Sequence, residues 1–203
     1  MAGPTQEFWQ SRFASGNMPW DRGGPGTQLA RWVEDGSFKP GERVIVPGCG
    51  QGWDVVALAA AGMKVTGLDY APDALALCRQ LIERNAVQAE LVEADVLTWM
   101  PVEPVDAVFD QACLCALHPD LWVRYANQLH QWLRPGGKLL ALFMQLPPVD
   151  KPEGVISGPP YHCDINAMRA LFPADRWEWP KPPYAGVAHQ HGLVELPVVL
   201  VRK

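Results

Sequence analysis

R-V-I-V-P-G-C-G-Q-G, residues 43–52, is an apolar run that breaks into glycines. A strand buried on both faces of a parallel sheet reads as such a run, and ligands bind beyond the carboxyl ends of such strands. Gly48, Gly50 and Gly52 remove the Cβ atoms that would hold a ligand off the backbone, and they permit positive φ in the turn into the next helix. A second strand, K-V-T-G-L-D at 64–69, carries the Asp69 carboxylate at its tip. Gly48 and Asp69 are 21 positions apart, close to the ~20-residue interval at which an acidic residue accepts hydrogen bonds from a ribose. The occupant is expected to be a nucleoside-bearing cofactor, and two cofactor classes fit.

The glycine spacing separates them. A dinucleotide fingerprint places its third glycine where this chain has Trp53, which argues against NAD. The pattern G-x-G-x-G, with Asp69 and a third acid-tipped strand A-E-L-V-E-A-D at 89–95, resembles class I S-adenosyl-L-methionine (SAM) methyltransferases. That resemblance lays the loop (Gly48, Gly50) against the methionine part of SAM and Cys49 beside the sulfonium. It gives the ribose hydroxyls to Asp69, with Tyr70 following it, and the adenine to Asp95 and Val96.

The rest of the chain alternates as an α/β protein does. Residues 5–15 read as a short helix capped by Thr5, 18–26 as a turn-rich loop, and 27–35 as a helix capped by Thr27. Strands at 43–46, 64–68 and 90–93 enclose helices at 54–61 and 72–85, which makes two βαβ crossovers. A strand at 105–110, a helix at 119–133, a turn R-P-G-G at 134–137 and a strand at 138–143 follow. Residues 147–160 form a Pro- and Gly-rich loop of the length usual for lids, Asp164 caps a helix to Leu171, and 177–179 with 194–201 form an antiparallel pair. The fold expected is Rossmann-like: a seven-stranded, mostly parallel sheet with helices on both faces, an antiparallel last strand and an N-terminal helical lid within residues 1–40.

A chain of 203 residues is expected to form one domain, 1–203. The net charge of -5 disfavours a nucleic-acid partner, since such proteins usually present a basic surface. No apolar run is long enough to span a membrane. Five cysteines without C-x-x-C spacing, behind no signal sequence, point to a reducing cytoplasm. The expected partner is a small-molecule nucleophile, and the expected state a monomer.

The flanking motifs are more specific than the loop. F-W-Q-S-R-F (8–13), P-W-D (19–21), G-T-Q-L (26–29), V-P-G-C-G (46–50) and G-P-P-Y (158–161) resemble the thiopurine S-methyltransferase superfamily along nearly the whole chain. P-W-D, the stretch 46–58 and C-A-L-H-P (115–119) look closest to its thiol and halide methyltransferase branch. The resemblance implies SAM contacts at Trp9, Phe13, Trp20, Gly48, Asp69, Asp95, Val96 and Gln111. Phe13 stands where many relatives have a second tryptophan. Gln111 stands where thiopurine-type members carry Arg and the plant branch commonly Tyr. Thiopurines are therefore not the first substrate expected; a thiol, hydrosulfide, halide, or selenium or tellurium compound is.

Trp9, Phe13 and Trp20 suit a lid, because aromatic faces attract a sulfonium by ~0.5 to 2 kcal/mol while excluding water. The alternative is a helix that buries its aromatics in the core. Methyl transfer to a soft anion is an in-line displacement that rests on alignment and needs no proton removed at the moment of reaction. Tyr161, after Pro159 and Pro160, is the candidate for orienting the nucleophile; its alternative is packing a loop onto the core. Asp110 serves either the cofactor's amino group or its own turn. C-x-C-x-x-H at 113–118 and H-x-H at 189–191 fall short of four closed metal ligands, and no metal is expected; Cys113 and Cys115 are expected to pack or to line the substrate pocket, whose volume residues 143–161 set, and His189 and His191 to sit in a polar hairpin at its mouth. Three other readings remain: a thiopurine-type S-methyltransferase with a larger aromatic thiol substrate, an NAD-dependent oxidoreductase, disfavoured by Trp53, and a SAM-binding protein without activity.

Overall fold

A computed structural model of the chain describes residues 3–147, 156–189 and 192–203. Part of the expected 147–160 lid loop, and His191, lie outside them. Strands β1 (Arg43–Pro47), β2 (Lys64–Asp69), β3 (Glu90–Glu93), β4 (Val105–Gln111) and β5 (Leu133–Gln145) form the parallel part of one sheet in the order β3-β2-β1-β4-β5. The last strand, β8 (Val194–Arg202), runs antiparallel beside β5, and β6 (Trp177–Glu178) forms the edge beyond it. A two-residue strand β7 (Val187–Ala188) also pairs with β8, so the sheet has eight strands rather than the seven expected.

The period-two alternation of strand side chains divides the core between two faces. Ile45, Val108 and Leu139 pack with Tyr125, Leu129 and Trp132 of α6 (Trp122–Trp132) and with Met168 of α7 (Ile165–Leu171). Val44, Val46, Ala107, Phe109 and Leu140 point the other way, onto Leu29 and Trp32 of α2 (Thr27–Glu34) and Val55 and Leu58 of α3 (Trp53–Ala60). Helix α4 (Pro72–Arg84) joins that second face through Cys78, with Pro72 in its first turn, where no amide donor is needed.

Several boundaries differ from the sequence reading. Thr27 is not a cap: Gly26 holds that position, and its N–H reaches Asp54 Oδ1 at 3.4 Å. The expected R-P-G-G turn belongs to β5, because Leu133 pairs with Val105 before the register shifts and resumes at Ala107 and Lys138. Arg134 Nε donates to Asp106 at 2.7 Å across that irregularity. The helix expected at 119–133 begins as a 3-10 turn, Pro119–Leu121, in which His118 Nδ1 accepts the Asp120 N–H. A one-turn helix α5 (Cys113–Ala116), which sequence periodicity did not reveal, follows β4. No helix among the described residues is long and apolar enough to cross a membrane.

Candidate active site

The chain turns from β3 to β4 across β1, and ligands of open α/β sheets bind at such a reversal. A cavity of about 530 Å³ opens there. Its floor is drawn from the carboxyl ends of all five parallel strands: Gly48 after β1, Asp69 and Tyr70 at the end of β2, Asp95 and Val96 after β3, Cys113 after β4, and Met144 in β5.

The loop between β1 and α3 has its shape because three glycines take positive φ, Gly48 at 57, Gly50 at 53 and Gly52 at 92 degrees. At Gly52 there is also no room, since a Cβ would lie 2.2 Å from Cys78 Sγ and 3.2 Å from Cys78 Cα. Asp69 braces this loop: its Oδ2 accepts the Gly50 N–H at 3.0 Å and its Oδ1 the Ala71 N–H at 2.9 Å. Burial pushes its pKa up, while those backbone donors oppose the shift. Asp95 Oδ1 accepts the Leu97 N–H at 2.8 Å and so fixes the turn that presents Val96.

The aromatic segment covers this end of the cavity. Helix α1 (Gln6–Ala14), capped by the Thr5 hydroxyl, lies on α4 through Gln10 Oε1, which accepts the Asp73 N–H at 3.2 Å. Trp20 meets Trp9 and Phe13 edge-on at 5.3 and 5.8 Å. All three rings line the cavity, and Phe13 is also buried against Ala71 and Ala74. Lid and core are alternatives in the sequence; the cluster both lines the cavity and packs against α4. Trp53, whose bulk argued against a dinucleotide, donates its indole N–H to Asp21 Oδ1 at 2.9 Å and ties the P-W-D loop to α3.

Nine of the expected residues therefore meet in one cavity: Trp9, Phe13, Trp20, Gly48, Gly50, Asp69, Tyr70, Asp95 and Val96. Four do not form its wall. Cys49 turns its sulfur beneath the loop, where a hydrogen bond to Cys78, then burial, push its thiol well up. Asp110 is buried and serves its turn, accepting the Tyr125 hydroxyl at 2.8 Å and the Leu114 N–H at 3.2 Å, and burial pushes it up to about 6. Gln111 donates to Glu195 Oε2 at 3.1 Å. The Tyr161 ring is buried, edge-on to His118 at 5.4 Å and against Gly158, and its hydroxyl has no hydrogen-bond partner among the described residues.

The other end of the cavity, over β4, β5 and β8, is built from Cys113, Cys115, Leu117, Met144, the Gly158–Pro160 turn, His189 and Leu193. Leu117 and Leu193 went unassigned in the sequence, because apolar residues carry no chemical signature. Burial pushes the Cys113 and Cys115 thiols well above their ordinary value, so both stay protonated and make poor competitors for a methyl group. Among the described residues no cluster of His, Cys, Asp or Glu could hold a metal ion. Glu195, also unassigned, is buried in β8 beside Arg22 Nη2 at 3.6 Å. A lone acid in the run V-E-L-P-V-V-L-V-R was the signal available for it.

The profile of the thiopurine S-methyltransferase family matches residues 4–191. The chain is 36% identical over 166 residues to the probable thiol methyltransferase 2 of Arabidopsis thaliana, covering 81% of this chain and 70% of that protein. It is 35% identical, with the same coverage, to thiocyanate methyltransferase 1 of Arabidopsis thaliana. The crystal structure of magnesium protoporphyrin IX methyltransferase from Synechocystis PCC 6803 with bound SAM superposes with a TM-score of 0.76, covering 100% of both chains at 15% identity. That last likeness shows the fold.

Proposed function

Because the chain belongs to the thiopurine S-methyltransferase family, a family of SAM-dependent methyltransferases, we propose that it methylates a small soft nucleophile: a thiol or hydrosulfide, a halide, or a selenium or tellurium compound. The chain is a methyltransferase and SAM is its methyl donor. When bound, SAM supplies an electrophilic methyl group on a sulfonium.

The residues present fit that group. The absent Cβ atoms of Gly48 and Gly50 would face Cys113 and Phe13 of the cavity wall, and the buried Asp69 carboxylate stands at its rim with acceptor capacity for ribose hydroxyls. Asp95 and Val96 are in place for an adenine edge, and the Trp9, Phe13 and Trp20 cluster for shielding a sulfonium from water.

The observation that carries the substrate reading is the continuity of the cavity from that acidic, aromatic end to an end walled by Cys115, Leu117, Met144 and Leu193. A soft, weakly hydrated nucleophile loses little on entering such walls, whereas a hard oxygen or amine nucleophile would lose its hydration without replacement. Alignment of two reactants in one cavity supplies on the order of 7 to 11 kcal/mol of the barrier. The test is a panel of thiols, hydrosulfide, thiocyanate, halides and selenide, incubated with purified protein and SAM and read out as S-adenosylhomocysteine. Turnover of soft acceptors supports the reading, and SAM binding without turnover across the panel defeats it.

We take residues 1–203 to act as one domain and as a monomer in a reducing cytoplasm, which the five free cysteines support. Sedimentation of the purified chain measures the first of these assignments that solution work can reach, the oligomeric state.

A further inference from the structure

Glu195 is 1% exposed, an unusual place for a carboxylate in an apolar strand. Three side chains from different parts of the chain converge on it. Gln111 at the end of β4 donates at 3.1 Å, Arg22 from the N-terminal segment pairs at 3.6 Å, and His189 Nε2 stands 3.9 Å from Oε1. Only His189 of these four lines the cavity, at the end over β5 and β8 beside Met144, Leu193 and the Gly158–Pro160 turn. The His189 backbone is fixed as well, its N–H donating to Leu193 O at 2.8 Å across the β7–β8 connection.

An imidazole at a cavity wall with a buried carboxylate behind it is the arrangement of a general base and the group that orients it and balances its charge. A thiocyanate or a halide is an anion already and has no use for such a pair. An alkyl thiol or hydrogen sulfide is largely or partly protonated near neutrality and must lose a proton to become a strong nucleophile.

Resting on the proposed function, we propose that His189, held by Glu195, is the general base that ionises an un-ionised thiol at this site, which makes neutral thiols a substrate class beside preformed anions. The S–H bond breaks and its proton passes to the imidazole, whose charge the Glu195 carboxylate balances. The thiolate lone pair then forms the S–CH3 bond as the methyl–sulfonium bond of SAM breaks, and S-adenosylhomocysteine leaves as a neutral thioether. The imidazolium returns its proton to solvent. His189 is the catalytic residue in this step; Glu195 is a positioning residue.

The surroundings agree. Burial pushes Glu195 up to about 7, opposed by Arg22 and Gln111 and assisted by Asp54 and Asp110. The groups around it are Arg22 on the N-terminal segment, Asp54 on α3, Asp110 at the end of β4, and the protonated thiols of Cys115 on α5 and Cys163 before α7.

The experiment compares 2-mercaptoethanol, 4-nitrothiophenol (ionised at neutral pH) and iodide as acceptors, with the full chain, saturating SAM and S-adenosylhomocysteine as readout. In His189→Gln the turnover ratio of 2-mercaptoethanol to 4-nitrothiophenolate should fall by ~10²-fold or more, the lower bound for loss of a general base. In Glu195→Gln the acid limb of the 2-mercaptoethanol pH profile should move while the iodide profile keeps its shape. The wild-type chain supplies a test that needs no variant: kcat/KM for 2-mercaptoethanol should rise and then level off at a pH where the free thiol is still protonated, and that for iodide should not change. Parallel profiles for both acceptors, or equal losses for all three in His189→Gln, overturn the base. Wild-type turnover of iodide alone also overturns it and leaves the methyltransferase reading standing. Absence of turnover with every acceptor defeats both.

Discussion

The Asp69 carboxylate at the tip of β2 accepts the backbone N–H of Gly50 at 3.0 Å, so one strand end holds the glycine loop that leaves its neighbour. The residue proposed for the ribose thus also shapes the glycine loop beside it. Asp69→Ala is expected to weaken SAM binding by ~1.5 to 3 kcal/mol, as a charged acceptor is lost and a buried donor is left unpaired. Isothermal calorimetry on the folded variant measures it, and unchanged affinity would remove Asp69 from the cofactor site.

Gly52→Ala brings a Cβ within 2.2 Å of Cys78 Sγ and 3.2 Å of Cys78 Cα, at a φ of 92 degrees. Strain of about 1–3 kcal/mol is expected from the backbone alone, with the overlap adding to it. Pairing it with Cys78→Ala relieves the sulfur contact and leaves the backbone strain, so the double variant should recover part of the loss in a urea melt. Full recovery would show that φ at this position is not the constraint.

The N-terminal aromatic cluster sits on both α4 and the cavity, so cofactor and lid should order each other. SAM or S-adenosylhomocysteine is expected to protect residues 7–24 from limited proteolysis. Equal cleavage rates with and without ligand would mean that the segment is held by α4 alone.

Tyr161 is buried edge-on to His118 and stands outside the cavity wall, which favours the packing alternative over the nucleophile-orienting one. Tyr161→Phe keeps the ring and removes a hydroxyl without a partner among the described residues, a change that costs little when no bond is lost. SAM affinity is expected to stay the same, and kcat to stay within roughly threefold, a barrier change of about 0.7 kcal/mol. A much larger fall in kcat, greatest for hydrosulfide and halide, would put the hydroxyl back on the nucleophile.

Glu195 titrates at about 7 in the folded chain against 4.5 as its ordinary value. A carboxyl raised by folding adds stability below its unfolded pKa and loses it as pH rises through the folded one. The wild type should therefore shed up to about 3 kcal/mol between pH 4.5 and 8 on account of Glu195. Asp54 and Asp110, each raised to about 6, act in the same direction, whereas Asp21 and Asp106, both lowered, act only below this window. Glu195→Gln removes one component only, so urea midpoints at pH 5 and pH 8 should lie closer together in the variant. An unchanged spacing would mean that Glu195 does not titrate in this range.

The sequence by itself determined the parallel half of the sheet and the strand-end residues that line one side of the cavity. Those features are local: an apolar run fixes a strand, positive φ fixes the glycines of one loop, and a strand tip fixes the place of Asp69, all within a few residues of chain. What only the tertiary structure decided depends on contacts between distant segments. Helix α5 is one turn long, too short for a periodic signal, and β7 is two residues that exist because β8 is there to pair with them. Asp110 and Gln111 carry acid and amide at a strand end, as a ligand-binding residue would, yet Tyr125 is 15 positions away and Glu195 is 84, and those partners draw both side chains away from the cavity. Glu195 itself reads as an irregularity in an apolar strand until folding brings Arg22, Gln111 and His189 around it. A buried charge is tolerable only with such partners, and no local pattern can name them.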